Sequence, residues 1–182
     1  TSAEEFYKKI KSDMGQEIFM KPSEDGSSID IFKIESKKSF MNAINDCINL
    51  NREFIFEEAI SGKEITVGII NNKCLPPVEI QTNNIFYNYE AKYLSNETNL
   101  IEADLSQEKR EEIQQMALNA FHACGCKSWA RVDFLQDNNG NFFVIEINTA
   151  PGMTSHSLVP KAGGFLGLSY EEVLKNIINA SL

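Results

Sequence analysis

The chain lacks any apolar run of the roughly eighteen residues that a membrane-spanning helix requires, and it carries no leader-peptide pattern. Basic residues are in deficit: 17 Lys and Arg stand against 26 Asp and Glu, a net charge of −9. No basic stripe and no aromatic-interleaved basic run is present, which argues against nucleic acid as the main partner. Histidine occurs only at His122 and His156, and neither joins a nucleophile–histidine–acid constellation. Of the four cysteines, Cys47, Cys74, Cys124 and Cys126, only the last two are close. Cys124-Gly-Cys126 has neither zinc-finger spacing nor a second pair to complete it. Reduced, mostly buried thiols in a cytosolic protein are the expectation. There is no Gly-Lys-Ser/Thr ending of a phosphate-binding P-loop. The Gly163-Gly164…Gly167 cluster follows a loop, which is the wrong place for a dinucleotide fingerprint. Internal repeats and low-complexity tracts are absent. The chain also opens on Thr1-Ser2-Ala3 and runs straight into a helix-like segment, so a piece of a longer protein is expected.

What remains is a chain of 182 residues, enough for one domain with a real core or for two small lobes. Periodicity predicts a short amphipathic helix over 3–11, strands over 17–21 (stopped by Pro22) and 29–34, and a helix over 37–50. A short apolar strand over 54–56 precedes a turn at Ser61-Gly62, and an alternating strand over 64–70 turns at Asn71-Asn72. A long helix capped by Ser106 runs over 106–124, with Ile113, Met116, Ala117, Ala120 and Phe121 on one face. Residues 83–99 are polar and aromatic without a period, and loops of that length are usually functional or disordered. A terminal helix starts near Tyr170. Irregular alternation with hairpins predicts an α+β chain with mixed and antiparallel sheets flanked by helices.

The chemistry concentrates late in the sequence. Residues 129–135 and 142–148 both alternate, and Asn139-Gly140 lies between them, the pattern of a two-residue type I′ hairpin turn. Such a turn pairs Asp133 with Glu146 and Arg131 with Asn148. Side chains two apart share a sheet face, so all four project from one side. Opposed carboxylates repel unless a cation lies between them. Hard oxygen ligands of this kind suit Mg²⁺, which takes one or two carboxylates and completes its shell with phosphate and water. The alternative is a solvated hairpin face with an Arg–Asp pair. A Thr149-Ala-Pro-Gly152 loop follows and leads towards a helix. Together these residues point to ATP-dependent chemistry.

Earlier pieces admit both functional and plain readings. Lys21 ends an apolar strand before Gly26-Ser27-Ser28; a phosphate would satisfy its charge, and a surface lysine before a turn is the alternative. Glu57, Glu58 and Glu64 offer acceptors for an adenine amine and ribose hydroxyls, or form a solvated acidic loop. Tyr87, Tyr89, Lys92 and Tyr93 crowd the long loop, as in a lid that excludes water, or as in an ordinary packed loop. His122, on the long helix, reads as structural.

Three motifs, Lys21-Pro-Ser-Glu-Asp-Gly-Ser27-Ser28, Tyr89-Glu-Ala-Lys92-Tyr93 and Glu146-Ile-Asn148-Thr-Ala-Pro-Gly152-Met-Thr-Ser-His-Ser157-Leu158, resemble the D-alanine–D-alanine ligase family of the ATP-grasp superfamily. The resemblance runs over essentially the whole chain. It implies an ATP-grasp fold without its N-terminal domain: 1–60 would be the remainder of the central lobe and 61–182 the C-terminal lobe, with a lid at 83–99. It implies a cytoplasmic enzyme of peptidoglycan precursor synthesis that uses ATP and Mg²⁺, two ions or Mn²⁺ in their place, and acts as a homodimer when complete. ATP would phosphorylate one D-alanine to an acyl phosphate, which the amine of a second D-alanine attacks. By the same resemblance Lys21 and Lys92 bind phosphate, Glu57 and the backbone at Glu58 and Ile60 bind adenine, and Glu64 binds ribose. Asp133, Glu146 and Asn148 are the magnesium ligands. Arg131 and the Gly152 N–H stabilise the oxyanion, Ser27 and Tyr93 fasten the lid, and Ser157 and Leu158 hold the second D-alanine.

Two departures stand out. The family pattern after Gly-Ser-Ser is a hydrophobic residue and a glycine, and here it reads Ile29-Asp30. The N-terminal domain and the start of the central lobe, with its first lysine, are missing. The alternative readings are a non-catalytic nucleotide-binding homologue and a ligase joining D-alanine to D-lactate or D-serine.

Overall fold

The structure, a computed structural model, describes residues 2–24, 30–81 and 98–182. The backbone divides into two compact units, the first ending at Ile60 and the second beginning at Ser61.

The first unit begins with helix α1 (Ala3–Met14), held at its start by a reciprocal Ser2/Glu5 capping box. Strands β1 (Ile18–Pro22), β2 (Phe32–Ile34) and β3 (Phe54–Glu58) form an antiparallel sheet in the order β2-β1-β3. Helix α2 (Lys37–Cys47), capped by Ser36, completes the unit. Alternation along β1 sends Ile18 and Met20 into a core with Ile10, Ile34, Phe40 and Ala43. Phe6 meets Phe56 edge-on at 5.4 Å between ring centroids. Lys21 therefore lies on the opposite face of β1 from that core. Pro22 remains within β1 and pairs with Phe54, so it is the strand's last residue and not the residue that stops it. β3 is longer than its apolar part: Glu57 and Glu58 belong to it, paired with Phe19 and Ile18.

The second unit is a six-stranded sheet: β4 (Gly62–Ile70), β5 (Lys73–Cys74), β6 (Val78–Gln81), β7 (Asn99–Glu102), β8 (Trp129–Asp137) and β9 (Phe142–Asn148). The order is β7-β6-β4-β8-β9, with β5 folded back on β4, and every pairing is antiparallel. Asn71 and Asn72 both have positive φ, 49° and 59°, and turn β4 into β5. Helix α3 (Gln107–Ala123) lays Ile113, Ala117 and Phe121 against Ile65, Val67, Ile69, Ala130, Val132 and Phe134. Helices α4 (Leu158–Gly164) and α5 (Tyr170–Ser181) close the chain; a Ser169/Glu172 capping box starts the latter. Because the odd-numbered β4 residues and the even-numbered β8 residues are committed to α3, the opposite face carries Thr66, Arg131 and Asp133. Among the described residues no helix is long and apolar enough to cross a membrane.

The β8–β9 turn differs from the sequence expectation. Asn139 is not in the positive-φ region that a type I′ turn needs; only Gly140 is, at 82°. The Gly140 N–H donates to the Asp137 carbonyl at 3.0 Å, and the Asp137 N–H to the Asn141 carbonyl at 3.0 Å, so the loop holds three residues and Gly140 ends it. The Asp137 carboxylate accepts from the backbone N–H groups of Asn139 and Asn141 at 2.9 and 2.8 Å. Hydrogen bonds from Asn141, side chain before backbone, hold that carboxyl below its usual range despite slight opposing desolvation. Beyond the turn Gln136 pairs with Phe142, one step away from the expected register. A bulge between Asp133 and Phe134 then restores it.

Candidate functional site

The bulge sets two cross-strand rows on the face away from α3. Thr66 pairs with Asp133 and Asp133 with Glu146; Gly68 pairs with Arg131 and Arg131 with Asn148. Arg131, Asp133, Glu146 and Asn148 are thus brought together in the pairing that the sequence predicts. Arg131 grips Asp133 with two parallel bonds, Nε to Oδ1 at 2.8 Å and Nη2 to Oδ2 at 2.7 Å. This bidentate geometry fixes the plane of the guanidinium. Asn148 Nδ2 donates to Asp133 Oδ2 at 2.9 Å and to Glu146 Oε1 at 3.2 Å. Thr66 Oγ1 donates to Asp133 Oδ1 at 2.5 Å. The Asp133 carboxylate therefore accepts four hydrogen bonds while only 5% exposed. Glu146, by contrast, is exposed on its strand.

Thr66 is a residue that sequence reading missed. It is the one hydroxyl in the buried stretch of β4, but threonine is common in strands, so its position in the sequence carries no signal.

The donor set fits a hard divalent cation. The Asn148 amide N–H₂ bridges two carboxylates, the position in which a positive group relieves their repulsion. Rotating that amide by half a turn would replace its donors with the Oδ1 acceptor and give three oxygen donors facing one another. Two carboxylates and an amide oxygen match the modest protein share that Mg²⁺ takes. No cluster of three or more His, Cys, Asp or Glu exists among the described residues, so a nitrogen- or sulfur-rich metal centre is not the reading there.

Past β9 the chain enters the loop before α4. Gly152 is exposed, and a Cβ built on it would lie 3.5 Å from Ser157 Oγ, so Gly152 and Ser157 are neighbours across the loop. Ser157 is the N-cap of α4 but does not cap it with its side chain. Its hydroxyl instead accepts the Thr154 N–H at 2.9 Å and meets Thr154 Oγ1 at 3.0 Å. Leu158 is buried, 7% exposed, so it has only its backbone to offer a ligand. The Tyr170 hydroxyl, on α5, donates to the Met153 carbonyl at 2.5 Å and anchors the loop beside Gly152. Tyr170 too was missed, because a tyrosine opening a helix reads as core packing.

Lys21, Glu57, Glu58 and Ile60 belong to the first unit. Lys21 Nζ lies 2.8 Å from Glu57 Oε2, across the face of the sheet opposite the core. The lysine thus meets a carboxylate of the same unit. Glu58 projects to the other face from Glu57, and Ile60 follows the strand's end. Asp30 has φ 56°, a left-handed conformation that accounts for a glycine in the family pattern. Its Oδ2 lies 2.8 Å from Arg52 Nη1. In the second unit Glu64 sits in β4 between Ile80 and Leu135 and shares the face of Thr66. Ser27, Lys92 and Tyr93 lie outside the described residues, as does most of the expected lid.

The family profile described as "D-ala D-ala ligase C-terminus" matches residues 1–179. A D-alanine–D-alanine ligase of Saccharophagus degradans is 40% identical over 174 residues, which cover 95% of this chain and 55% of that protein. The enzyme of the same name from Haemophilus ducreyi is 36% identical over 165 residues, 91% of this chain and 54% of its own. Among solved structures, a D-alanine–D-alanine ligase from Bacillus anthracis complexed with ATP superposes with a TM-score of 0.78 at 28% identity, covering 93% of this chain and 54% of that one. A D-Ala:D-Ser ligase from Enterococcus faecalis gives 0.83 at 30% identity, covering 98% and 53%. The chain spans about half the length of the curated relatives it matches.

Proposed function

The chain belongs to the D-alanine–D-alanine ligase C-terminal family, and from that premise we propose that it supplies the nucleotide- and metal-binding part of an ATP-dependent ligase that joins two D-alanines. The carrying observation is the Arg131/Asp133/Glu146/Asn148 cluster, buried at Asp133 and exposed at Glu146. ATP would phosphorylate the carboxylate of one D-alanine, and the amine of the second would displace phosphate from the acyl phosphate.

Asp133, Glu146 and Asn148 would hold Mg²⁺, which neutralises the negative charge of the ATP phosphates. Arg131 would present a guanidinium fixed in plane by Asp133 to the negative charge that develops on the attacked carbonyl. Preorganised charge of this kind is often the largest single catalytic contribution. The Gly152 N–H, in a loop anchored through Met153 by Tyr170, would donate to the same oxyanion. Ser157 and the Leu158 backbone would hold the second amino acid. Lys21 and Lys92 would bind phosphate, Glu57, Glu58 and Ile60 adenine, and Glu64 ribose. Ser27 and Tyr93 would fasten the lid. In this reading 1–60 and 61–182 are parts of the central and C-terminal ATP-grasp lobes. The complete protein is a cytoplasmic homodimer in peptidoglycan synthesis and cell-shape maintenance.

The Asp30–Arg52 pair supports catalysis over a non-catalytic nucleotide binder, because the carboxylate that departs from the family pattern has a cationic partner. A second reading, ligation of D-alanine to D-serine, rests on the likeness to the Enterococcus faecalis enzyme. The test is D-alanine-dependent ADP release by the full-length protein. Glu146→Ala should abolish it, and near-normal turnover would overturn the assignment. Mass analysis of products with competing D-serine and D-lactate separates the two ligase readings.

A further inference from the structure

Of the four cysteines only Cys124 is exposed; Cys47 is buried, and Cys74 and Cys126 lie between. Cys74 is half-buried, and desolvation pushes its thiol up to about 11; its Sγ donates to the Gln114 carbonyl. Cys47 is buried and likewise raised, by desolvation first and then by the charges of Asp30 and Asp46. Both are poor nucleophiles, since reactivity belongs to the thiolate. Cys124 and Cys126 differ in lying two residues apart. They follow α3, where the Gly125 N–H donates to the His122 carbonyl and the Cys126 N–H to the Phe121 carbonyl, a helix-ending motif with Gly125 at φ 68°. Cys124 is exposed and Cys126 half-buried. Both line an open cleft of about 320 Å³ with Lys127, Trp129, Thr149 and Ser181.

We propose that Cys124 and Cys126 form a reactive dithiol, a site at which a hydroperoxide closes an intrachain disulfide. Residues two apart are held within about 7 Å by the chain itself, near the Cα span of about 4.4–6.8 Å that a disulfide takes. Burial raises the Cys126 thiol, and the charge of Cys124 raises it further. No Cβ-sized obstacle lies within 4 Å above Gly125, so the turn has room to adjust. A bridging metal is the weaker reading, because among the described residues no third His, Cys, Asp or Glu joins the pair to make a metal-holding group.

The chemistry balances with hydrogen peroxide as the oxidant. The Cys124 thiolate attacks one peroxide oxygen, the O–O bond breaks, and the departing hydroxide takes a proton to become water. Cys124 is then a sulfenic acid. The Cys126 sulfur attacks the Cys124 sulfur, the S–S bond forms, the S–O bond breaks, and hydroxide leaves with the Cys126 proton as a second water. Two thiols are oxidised by two electrons and one peroxide is reduced.

The test is made on this chain, reduced and then exposed to hydrogen peroxide. Alkylation and peptide mapping should show Cys124 and Cys126 losing alkylation together in one bridged peptide while Cys47 and Cys74 remain alkylatable. The only tryptophan of the chain, Trp129, lines the same cleft, so its fluorescence should fall on bridging and recover with dithiothreitol. Cys126→Ser should arrest the reaction at a Cys124 sulfenic acid that dimedone traps, with the fluorescence step lost. Dimedone trapping of Cys124 to the same extent in the parent chain would overturn the proposal. So would oxidation of Cys124 only to a disulfide between two chains.

Discussion

Replacing Asp133 by leucine in this chain removes the acceptor of four hydrogen bonds and the bidentate counter-charge of the Arg131 guanidinium, whose side chain is only 13% exposed. Removing one partner of a buried pair typically costs about 3–5 kcal/mol, because the remaining charge stays desolvated while its counter-charge is gone. That is a large share of the roughly 5–15 kcal/mol that holds a domain together. With a urea dependence of about 2 kcal/mol per molar, the unfolding midpoint should fall by about 2 M. Thr66 and Asn148 each have a second partner. Thr66 Oγ1 also reaches the Val132 carbonyl at 3.2 Å, and Asn148 Nδ2 also reaches Glu146. Two of the four bonds and the charge pairing belong to Arg131, so most of the loss should come from that pair, and the double variant Arg131→Met/Asp133→Leu should regain about half of it or more, because the buried charge is removed together with its counter-charge. Urea unfolding followed by Trp129 fluorescence reads this directly, since that residue opens β8 itself. A midpoint unchanged by Asp133→Leu would refute the argument. So would a double variant as damaged as the sum of the two single ones.

Three further outcomes follow from the second unit. Burial works to raise the Glu79 carboxyl, but hydrogen bonds from Lys63 and Gln81 and the Lys63 charge outweigh it and leave the group below its usual value. Its stabilising contribution is therefore present above the unfolded carboxylate pKa and lost as pH falls through the lowered folded one; Glu79→Gln should flatten the acid limb of a stability–pH curve, and an unchanged limb would count against it. A Cβ at Gly62, where φ is 153°, would sit 1.9 Å from the Gln136 carbonyl oxygen, so Gly62→Ala should cost about 1–3 kcal/mol in urea unfolding by straining the start of the β4–β8 pairing. Tyr170→Phe should cost about 1 kcal/mol in the same assay through the lost bond to Met153, and in the full-length protein it should lower kcat while leaving the KM for ATP unchanged.

The pairing of Asp133 with Glu146 was legible in the sequence, but by two errors that cancel. A two-residue turn at Asn139-Gly140 gives that pairing directly. The chain instead uses a three-residue loop, which shifts the register by one, and the bulge between Asp133 and Phe134 shifts it back. Asp137 at the first position and Gly140 at the fourth are the signature of a type I turn, so the turn was readable. The bulge was not, because no residue type marks it. The true paired positive-φ turn is at Asn71-Asn72, where the sequence suggested only a turn. The helices were readable from their apolar spacing, with Ser106 marking the start of the long one. Glu57 and Glu58 were placed beyond their strand because polar residues look like strand ends, whereas pairing with Phe19 and Ile18 keeps the ladder going whatever side chains it carries.

Asp30 shows how a departure from a family pattern can conserve the physics behind it. A glycine in that position fits a backbone with positive φ, and the backbone of Asp30 is there at 56°. Among residues with a Cβ, aspartate is one of the few that visits this region readily. The conformation is therefore kept at modest cost. The added charge is the second difficulty, since in the proposed reading a carboxylate here would repel a nearby triphosphate. Arg52 meets that carboxylate at 2.8 Å, with both side chains 39% exposed. At that exposure the pair adds little to stability, but it brings a positive charge to the place where the new negative one appears. The substitution and its partner thus act as a unit, and Asp30 considered without Arg52 overstates the change in the field near the loop.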